Sequence, residues 1–179
     1  MRASVGVDTN ILAFLAQAAK GMYDPAADAD RVLRPERIAA YRVFLYSACI
    51  AVTPTVHEEI EKTADPRERA ELAGWKDALL IELLDVHPDA VEAQTRWLRQ
   101  HHAWERDCRI VAEAELGGLD VLLTFDKTLR KRLNGRAAPL RLRYPSEYWA
   151  ELQIPRGQAP HWSPTPTNPL QTATWWRWR

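Results

Sequence analysis

The sequence has few features that would cross-link the chain or anchor it in a membrane. Only two of its 179 residues are cysteines, Cys49 and Cys108, and both lie in apolar helical patterns typical of buried free thiols rather than of a disulfide framework. The longest apolar run, residues 43–52, is about half as long as a membrane-spanning helix. No apolar stretch of signal-peptide length precedes Asp8. We therefore expect a soluble, cytoplasmic protein that does not associate with a membrane.

The sequence also lacks a net charge and several common catalytic motifs. Lysines plus arginines number 24, as do the acids, so a preference for nucleic acids can come only from the distribution of charge. The chain has no GxSxG motif and no glycine-rich phosphate loop. His101 and His102 have no partners at zinc-site spacing, which favours a surface or helix-end role for both.

Strand and helix patterns alternate along the chain. Short apolar runs predict strands at residues 4–8, 50–53, 119–125 and near 140–143. Apolar residues at helical spacing, with proline or capping residues at the starts, predict helices over 9–19, 36–49, 54–62, 66–83, 88–101, 104–116 and 127–133, and a short one from Pro145. This alternation predicts a three-layer α/β/α sandwich around a short, mostly parallel central sheet.

The composition divides the chain into two parts. Residues 1–152 contain the alternating elements and are expected to form one domain, with a loop or insertion at 19–34. Residues 153–179 form an extension whose last 25 residues contain five prolines, four tryptophans and no acid. Its tryptophans and arginines could stack on nucleic-acid bases, pack on the domain or bind a second protein, and the sequence leaves these alternatives open.

Three aspartates occupy positions where an acid is unexpected. Asp8 and Asp126 each follow an apolar strand, at the edge where open α/β sheets bind ligands. Asp107 lies on the stripe of its helix that carries Ile110 and Val111, the face that should be buried. Each aspartate could instead be the N-cap of a helix, so both interpretations stand at this point.

A fourth acid is assigned from helical spacing. In the segment PTVHEEIEK, two aliphatic residues mark the buried side, which Glu59 flanks while Glu58 points away. Thr55, one turn before Glu59, should lie beside it. Glu113 projects away from the buried stripe of its own helix and is expected to be a solvated surface charge.

Four converging carboxylates would repel one another strongly. Each pair at about 4 Å costs roughly 4 kcal/mol at an effective dielectric constant near 20, against a total stability of about 5–15 kcal/mol. A bound cation relieves this repulsion, and ligands that are all carboxylate oxygens suit Mg²⁺ or Mn²⁺ better than zinc. The residues predicted to be catalytic and to hold one or two such ions are Asp8, Glu59, Asp107 and Asp126.

Three blocks of the sequence resemble the PIN-domain ribonuclease family. VGVDTNILAFL is similar to that family's first strand and helix, TPTVHEEIEK to the segment with the second acid, and RDCRIVAEAELGGLDVLLTFDKTL to the closing block with its Thr-x-Asp. The resemblance spans roughly residues 4–150. It implies metal-dependent endonucleolytic cleavage of RNA, as in VapC-like toxins, with an antitoxin protein as partner and a homodimeric state. It also gives Asn10 and Thr124 supporting roles through hydrogen bonds around the metal ligands.

A run of positive charge begins directly after Asp126. Residues 127–143 contain seven lysines and arginines and no acid. Because this run flanks the acid cluster, we expect it to contact RNA phosphates, although a solvated helix face is the alternative. The residues predicted to bind RNA are Lys127, Arg130, Lys131, Arg132 and Arg136.

Two further functions compete with a ribonuclease. One is a PIN-like module that binds RNA or protein without cleaving it, and the other is a phosphohydrolase that acts on small phosphate esters. The complete set of four acids argues against the non-cleaving module, because an inactive site would be free to lose charges that destabilise the fold. The basic run argues against the second.

Overall fold

Five parallel strands form the centre of the fold. The structure, a computed structural model, describes residues 5–47, 50–78, 82–83 and 85–179, with side chains at all of them but 68, 71, 75–78 and 82–83; the prediction for Cys49 lies outside the described residues. The strands are β1 (Val5–Val7), β2 (Ile50–Val52), β3 (Glu82–Leu83), β4 (Val121–Leu123) and β5 (Arg141–Arg143). They lie in the order β3-β2-β1-β4-β5, and every pairing is parallel.

Helices cover both faces of this sheet. Within the described residues they are α1 (Thr9–Ala19), α2 (Arg34–Tyr46), α3 (Pro54–Glu61), α4 (Pro66–Ala78), α5 (Pro88–Leu98), α6 (Glu105–Leu116), α7 (Lys127–Leu133) and α8 (Pro145–Glu151). Connections between parallel strands are right-handed. Helices α1 to α4 connect β1, β2 and β3 in one direction across the sheet and so lie on one face, while α5 to α7 lead back to β4 and β5 on the other. The predicted three-layer α/β/α sandwich with a short parallel sheet is confirmed.

The core is built around the three central strands. All residues of β1, β2 and β4 are buried, as expected for parallel strands covered on both faces. The close packing around β1 explains the glycine at position 6. A Cβ atom there would lie 2.5 Å from Cδ1 of Leu119, so the Leu119 side chain would have to move. No helix in the described part of the chain is both long and apolar enough to cross a bilayer.

One predicted element is wrong. The leucine-rich pattern at 66–83 predicts a single helix, but α4 ends at Ala78 and β3 follows at Glu82–Leu83, where it pairs with β2. A short apolar run fits a buried strand as well as a helical turn, so periodicity alone could not separate the two. The other predicted elements agree with the structure to within about three residues at each end.

The C-terminal extension packs against the domain. Trp176 is 2% exposed and its indole N–H donates to the carbonyl of Leu170, itself 2% exposed. The guanidinium of Arg42 on α2 donates to the carbonyls of Trp175, Trp176 and Arg177. Of the alternatives for these tryptophans, packing on the domain is therefore the one that the structure adopts.

Candidate active site

The first strand of the sheet ends in a buried acid. Asp8 is 6% exposed and is the N-cap of α1, where its Oδ1 accepts a hydrogen bond of 2.8 Å from the backbone N–H of Ile11. Burial raises the pKa of Asp8 to about 6. Hydrogen bonds from the Thr124 side chain and the Ile11 N–H oppose this rise, and the charges of Asp107 and Asp126 add to it. Asp8 is thus both a helix cap and a member of a group of interacting acids.

The neighbouring strand β4 ends in a similar way. The Oδ1 atom of Asp126 caps α7 by accepting hydrogen bonds from the backbone N–H groups of Thr128 (2.6 Å) and Leu129 (2.9 Å). Thr124 is fully buried between the two acids: its hydroxyl accepts from the N–H of Asp126 and its side chain bonds Asp8. The proposed supporting position of Thr124 thus matches its contacts.

Glu59 reaches the same edge from α3. Its Oε2 accepts a hydrogen bond from the hydroxyl of Thr9, the first residue of α1. Its Oε1 lies 3.7 Å from Nη1 of Arg106, which is largely exposed. Glu58 is exposed and pairs with Lys62 one turn along the same helix, as the helical spacing predicts. These contacts hold the Glu59 carboxylate toward β1.

Asp107 approaches from α6. The N-cap of that helix is Trp104, so the alternative interpretation of Asp107 as the N-cap is excluded. Its Oδ2 lies 2.8 Å from Nε2 of His102, whose ring is almost fully buried in the connection between α5 and α6. The sequence predicts a surface or helix-end role for His102, but its side chain is buried and orients the Asp107 carboxylate.

All four predicted acids line one cavity, which we call the acid pocket. It has a volume of about 220 Å³ and is lined by Asp8, Thr9, Asn10, Glu59, Asp107, Ile110, Asp126 and Leu129. None of these described lining residues is a lysine or an arginine, and one of the acids is buried. Negative charge is therefore concentrated at the carboxyl ends of β1 and β4 with little compensation from within the cavity.

Glu113 contradicts the expectation of a surface charge. It is 1% exposed, and its Oε2 and Oε1 accept hydrogen bonds, both of 2.8 Å, from the backbone N–H and the hydroxyl of Thr55. Arg109, one turn earlier on α6, lies 3.3 Å from Oε1. Glu113 thus binds the N-terminus of α3, where free N–H groups and the helix dipole stabilise an anion. The expectation was wrong because its partner comes from a distant part of the chain.

The carboxylates are currently occupied by hydrogen bonds from the protein. Within the described residues, no three His, Cys, Asp or Glu side chains are already arranged around a common ion position. One oxygen of Asp126 accepts two backbone N–H groups, and Glu59 is held by Thr9 and Arg106. An ion in the acid pocket would share these carboxylates with the protein's own hydrogen-bond donors.

The predicted RNA-binding residues differ in how free they are. Lys127, Lys131, Arg132 and Arg136 are exposed, although Arg136 lies 3.3 Å from Nε2 of His101. Arg130 donates twice to the carboxylate of Glu147, and its guanidinium lies 4.1 Å from the ring centre of Tyr144. Its charge is already neutralised, so it is a poorer candidate for a phosphate contact than its neighbours.

The acid pocket opens toward a wider cleft. This cleft has a volume of about 580 Å³ and shares Glu59, Asp107 and Asp126 with the acid pocket. Its rim includes Trp104, which is 70% exposed, and Arg106. A substrate much larger than a single phosphate group could therefore reach the acids.

No family model and no curated protein matches this chain.

Proposed function

We propose that this protein is a Mg²⁺- or Mn²⁺-dependent endoribonuclease that hydrolyses RNA phosphodiester bonds. The observation that carries the proposal is the acid pocket, in which acids from four separate elements line one cavity at the carboxyl edge of a parallel sheet. The exposed basic residues of α7 and the open cleft beside the acids support a polymeric substrate. The resemblance to PIN-domain ribonucleases agrees with this chemistry.

The residues of the acid pocket fit a hard divalent cation. Burial raises the pKa of Asp8 to about 6, and the charges of Asp107 and Asp126 add smaller contributions, so its charge is unfavourable in the protein without an ion. Carboxylate oxygens are the ligands that Mg²⁺ and Mn²⁺ prefer. We expect one or two ions held by the four acids. When bound, such an ion neutralises charge on the phosphate and lowers the pKa of a water molecule.

The protein's own residues position the acids for this role. Thr124 and the N-terminus of α1 hold Asp8, while the N-terminus of α7 holds Asp126. Thr9 and Arg106 hold Glu59, and His102 holds Asp107. Asn10 lines the same pocket, where its amide could bind a neighbouring carboxylate or the substrate. Lys127, Lys131, Arg132 and Arg136 would bind phosphates of the strand on either side of the cleaved bond.

A matched pair of variants on α3 tests the proposal. Purified protein is incubated with long RNA, DNA and small phosphate esters in Mg²⁺, Mn²⁺ or EDTA. We expect cleavage of RNA only with a divalent cation, and its loss in Asp8→Asn and Glu59→Gln. Glu58→Gln, which removes the same charge from the exposed neighbour of Glu59, should leave the rate unchanged. Equal cleavage in EDTA, or full activity of both pocket variants, would contradict the proposal.

The toxin role is a further part of the proposal and rests on the resemblance alone. It includes a neutralising antitoxin protein and a homodimeric state. A cytoplasmic location is proposed separately, from the apolar pattern of the sequence. Co-expression with the product of the neighbouring gene, followed by a growth assay, tests the antitoxin. Size-exclusion chromatography with light scattering tests the dimer. If the wild-type protein cleaves RNA in vitro but does not affect growth, the toxin role would be contradicted and the nuclease activity supported.

A further inference from the structure

A second cavity lies directly beside the acid pocket. This side pocket has a volume of about 540 Å³ and shares two lining residues, Asn10 and Asp126, with the acid pocket. Cavities of roughly 300–1,000 Å³ are of the usual size for ligand sites, and the lining of this one combines aromatic and aliphatic side chains with polar ones. A molecule bound in the side pocket would therefore lie next to the acid pocket.

Aromatic rings form one wall of the side pocket. Phe14 on α1 contacts Tyr23 edge to face, with ring centres 5.0 Å apart, and contacts Phe125 at 6.1 Å. Phe125 stands between Thr124 and Asp126, directly at the acid edge, and is half-buried. Planar aromatic ligands pack favourably against such rings. This wall therefore suits a planar ring such as a nucleobase.

Amide groups line another side. Asn10, Ala13 and Gln17 fall on one stripe of α1 at helical spacing, and all three line the side pocket. The side chains of Asn10 and Gln17 are exposed there, and each amide offers two N–H donors and an acceptor oxygen. Donors and acceptors close together are what the polar edge of a nucleobase requires.

Tyr23 and Arg37, on the outer wall of the side pocket, both contact the carboxylate of Asp28. Asp28, in the segment between α1 and α2, accepts hydrogen bonds from Nη1 of Arg37 (2.6 Å) and from the Tyr23 hydroxyl (2.9 Å). Its side chain is 3% exposed. Both partners line the side pocket. The contact uses one of the five N–H donors of Arg37, so its guanidinium still offers donors to a ligand.

We propose that the side pocket binds an unpaired nucleobase of the substrate strand, so that the adjacent phosphate lies at the acid pocket. This inference rests on the proposed function, which it deepens by naming a base-recognition site. The aromatic wall would pack against the base, and Gln17 would bind its polar edge. A base that is paired and stacked in a duplex cannot enter, so the strand must be single-stranded at this position.

Binding without cleavage tests the inference. Wild-type protein in EDTA is titrated with AMP, CMP, GMP and UMP and with fluorescent eight-nucleotide homopolymers of the same bases. Ala13→Phe fills the pocket, and Gln17→Leu removes an exposed amide without threatening the core. We expect Ala13→Phe to weaken oligonucleotide binding by about tenfold, the effect of losing one stacked base, and Gln17→Leu to change the ranking of the four bases. Ala93→Phe, an exposed alanine of α5, is the matched control.

The outcomes separate the inference from the proposed function. Unchanged affinity and ranking in both Ala13→Phe and Gln17→Leu would overturn the side pocket as a base site. Binding of mononucleotides alone, with the same oligonucleotide affinity in wild type and Ala13→Phe, would overturn a strand-bound base in favour of a free nucleotide. Base-selective oligonucleotide binding that is lost in Ala13→Phe, in a protein that cleaves no RNA with Mn²⁺, would support the pocket and remove the nuclease.

Discussion

Glu113 on α6 bonds both the backbone N–H and the hydroxyl of Thr55 at the start of α3. This contact joins the helix that carries Asp107 to the helix that carries Glu59, and it is almost fully buried. A carboxylate without a role in the acid pocket therefore sets the distance between two elements that supply the pocket's acids.

Removal of this contact should destabilise the fold. Glu113→Ala leaves the Thr55 N–H buried without an acceptor, and we expect a loss of about 3 kcal/mol in the free energy of unfolding. Glu113→Gln keeps an acceptor oxygen and should lose about 1–2 kcal/mol. Urea denaturation measures both. Glu92→Ala, which removes an exposed acid of α5, should change stability by no more than about 0.5 kcal/mol; a comparable loss there would argue against a specific role for Glu113.

The raised pKa of Asp8 makes stability depend on pH. The folded pKa of about 6 exceeds the ordinary value of 3.8, so the contribution of Asp8 to stability is fully present below about pH 3.8 and is lost as pH rises through 6. Asn can still cap α1 but carries no charge. Asp8→Asn should therefore be more stable than wild type at pH 7.5 in EDTA, by up to about 3 kcal/mol.

Denaturation at several pH values measures this effect. The advantage of Asp8→Asn should change little between pH 7.5 and about 6.5 and then shrink as pH falls through 6 to 4.5, because the folded wild type becomes protonated at Asp8 in that range. Mn²⁺ should narrow the difference at pH 7.5 by stabilising only the protein that keeps all four acids. A variant that is less stable than wild type at pH 7.5 would show that the Asp8 charge is not unfavourable in the folded state.

Lys131 should contribute to the salt dependence of RNA binding. It is exposed on α7, the helix that begins directly after Asp126. Each phosphate contact on a single strand contributes about 0.7 to the slope of log K against log salt. Lys131→Gln should lower that slope by about this amount for all sequences. Arg141→Gln removes a charge at the amino end of β5, where it pairs with Glu151, and should leave the slope unchanged. If Lys131→Gln had the same slope as Arg141→Gln, RNA would not contact Lys131.

The C-terminal extension should contribute strongly to stability. Trp176 is 2% exposed whereas Trp162 in the same extension is 45% exposed. Trp176→Ala should lose about 3–5 kcal/mol, the usual effect of truncating a buried aromatic residue. Trp162→Ala should change stability by no more than about 0.5 kcal/mol. Thermal and urea unfolding compare the two, and equal small effects would mean that the extension is not part of the cooperative unit.

The sequence predicts the parallel sheet and the placement of the four acids at one edge of it, because both depend on local patterns. Asp8 and Asp126 stand at the ends of apolar strands, and Asp107 and Glu59 follow from helical spacing, so each could be assigned within one element. The sequence does not predict β3, because a strand of two residues cannot be distinguished from the end of a helix by its pattern. It predicts an exposed Glu113, because the partner Thr55 is 58 residues away. The walls of the side pocket likewise come from α1, the segment after it and Phe125. Local sequence patterns cannot predict that these parts of the chain lie together.

The central position of β1 affects the order of folding. Its pairing with β4 joins Val5 to Val121, more than a hundred positions apart, and contacts over such separations form slowly and late. Asp8 and Asp126 can meet only after that pairing, so a partly folded chain without β4 does not yet carry their repulsion. A divalent cation bound by the acids would therefore slow the opening of the finished protein rather than accelerate its formation. Its effect would be seen as longer survival against proteases.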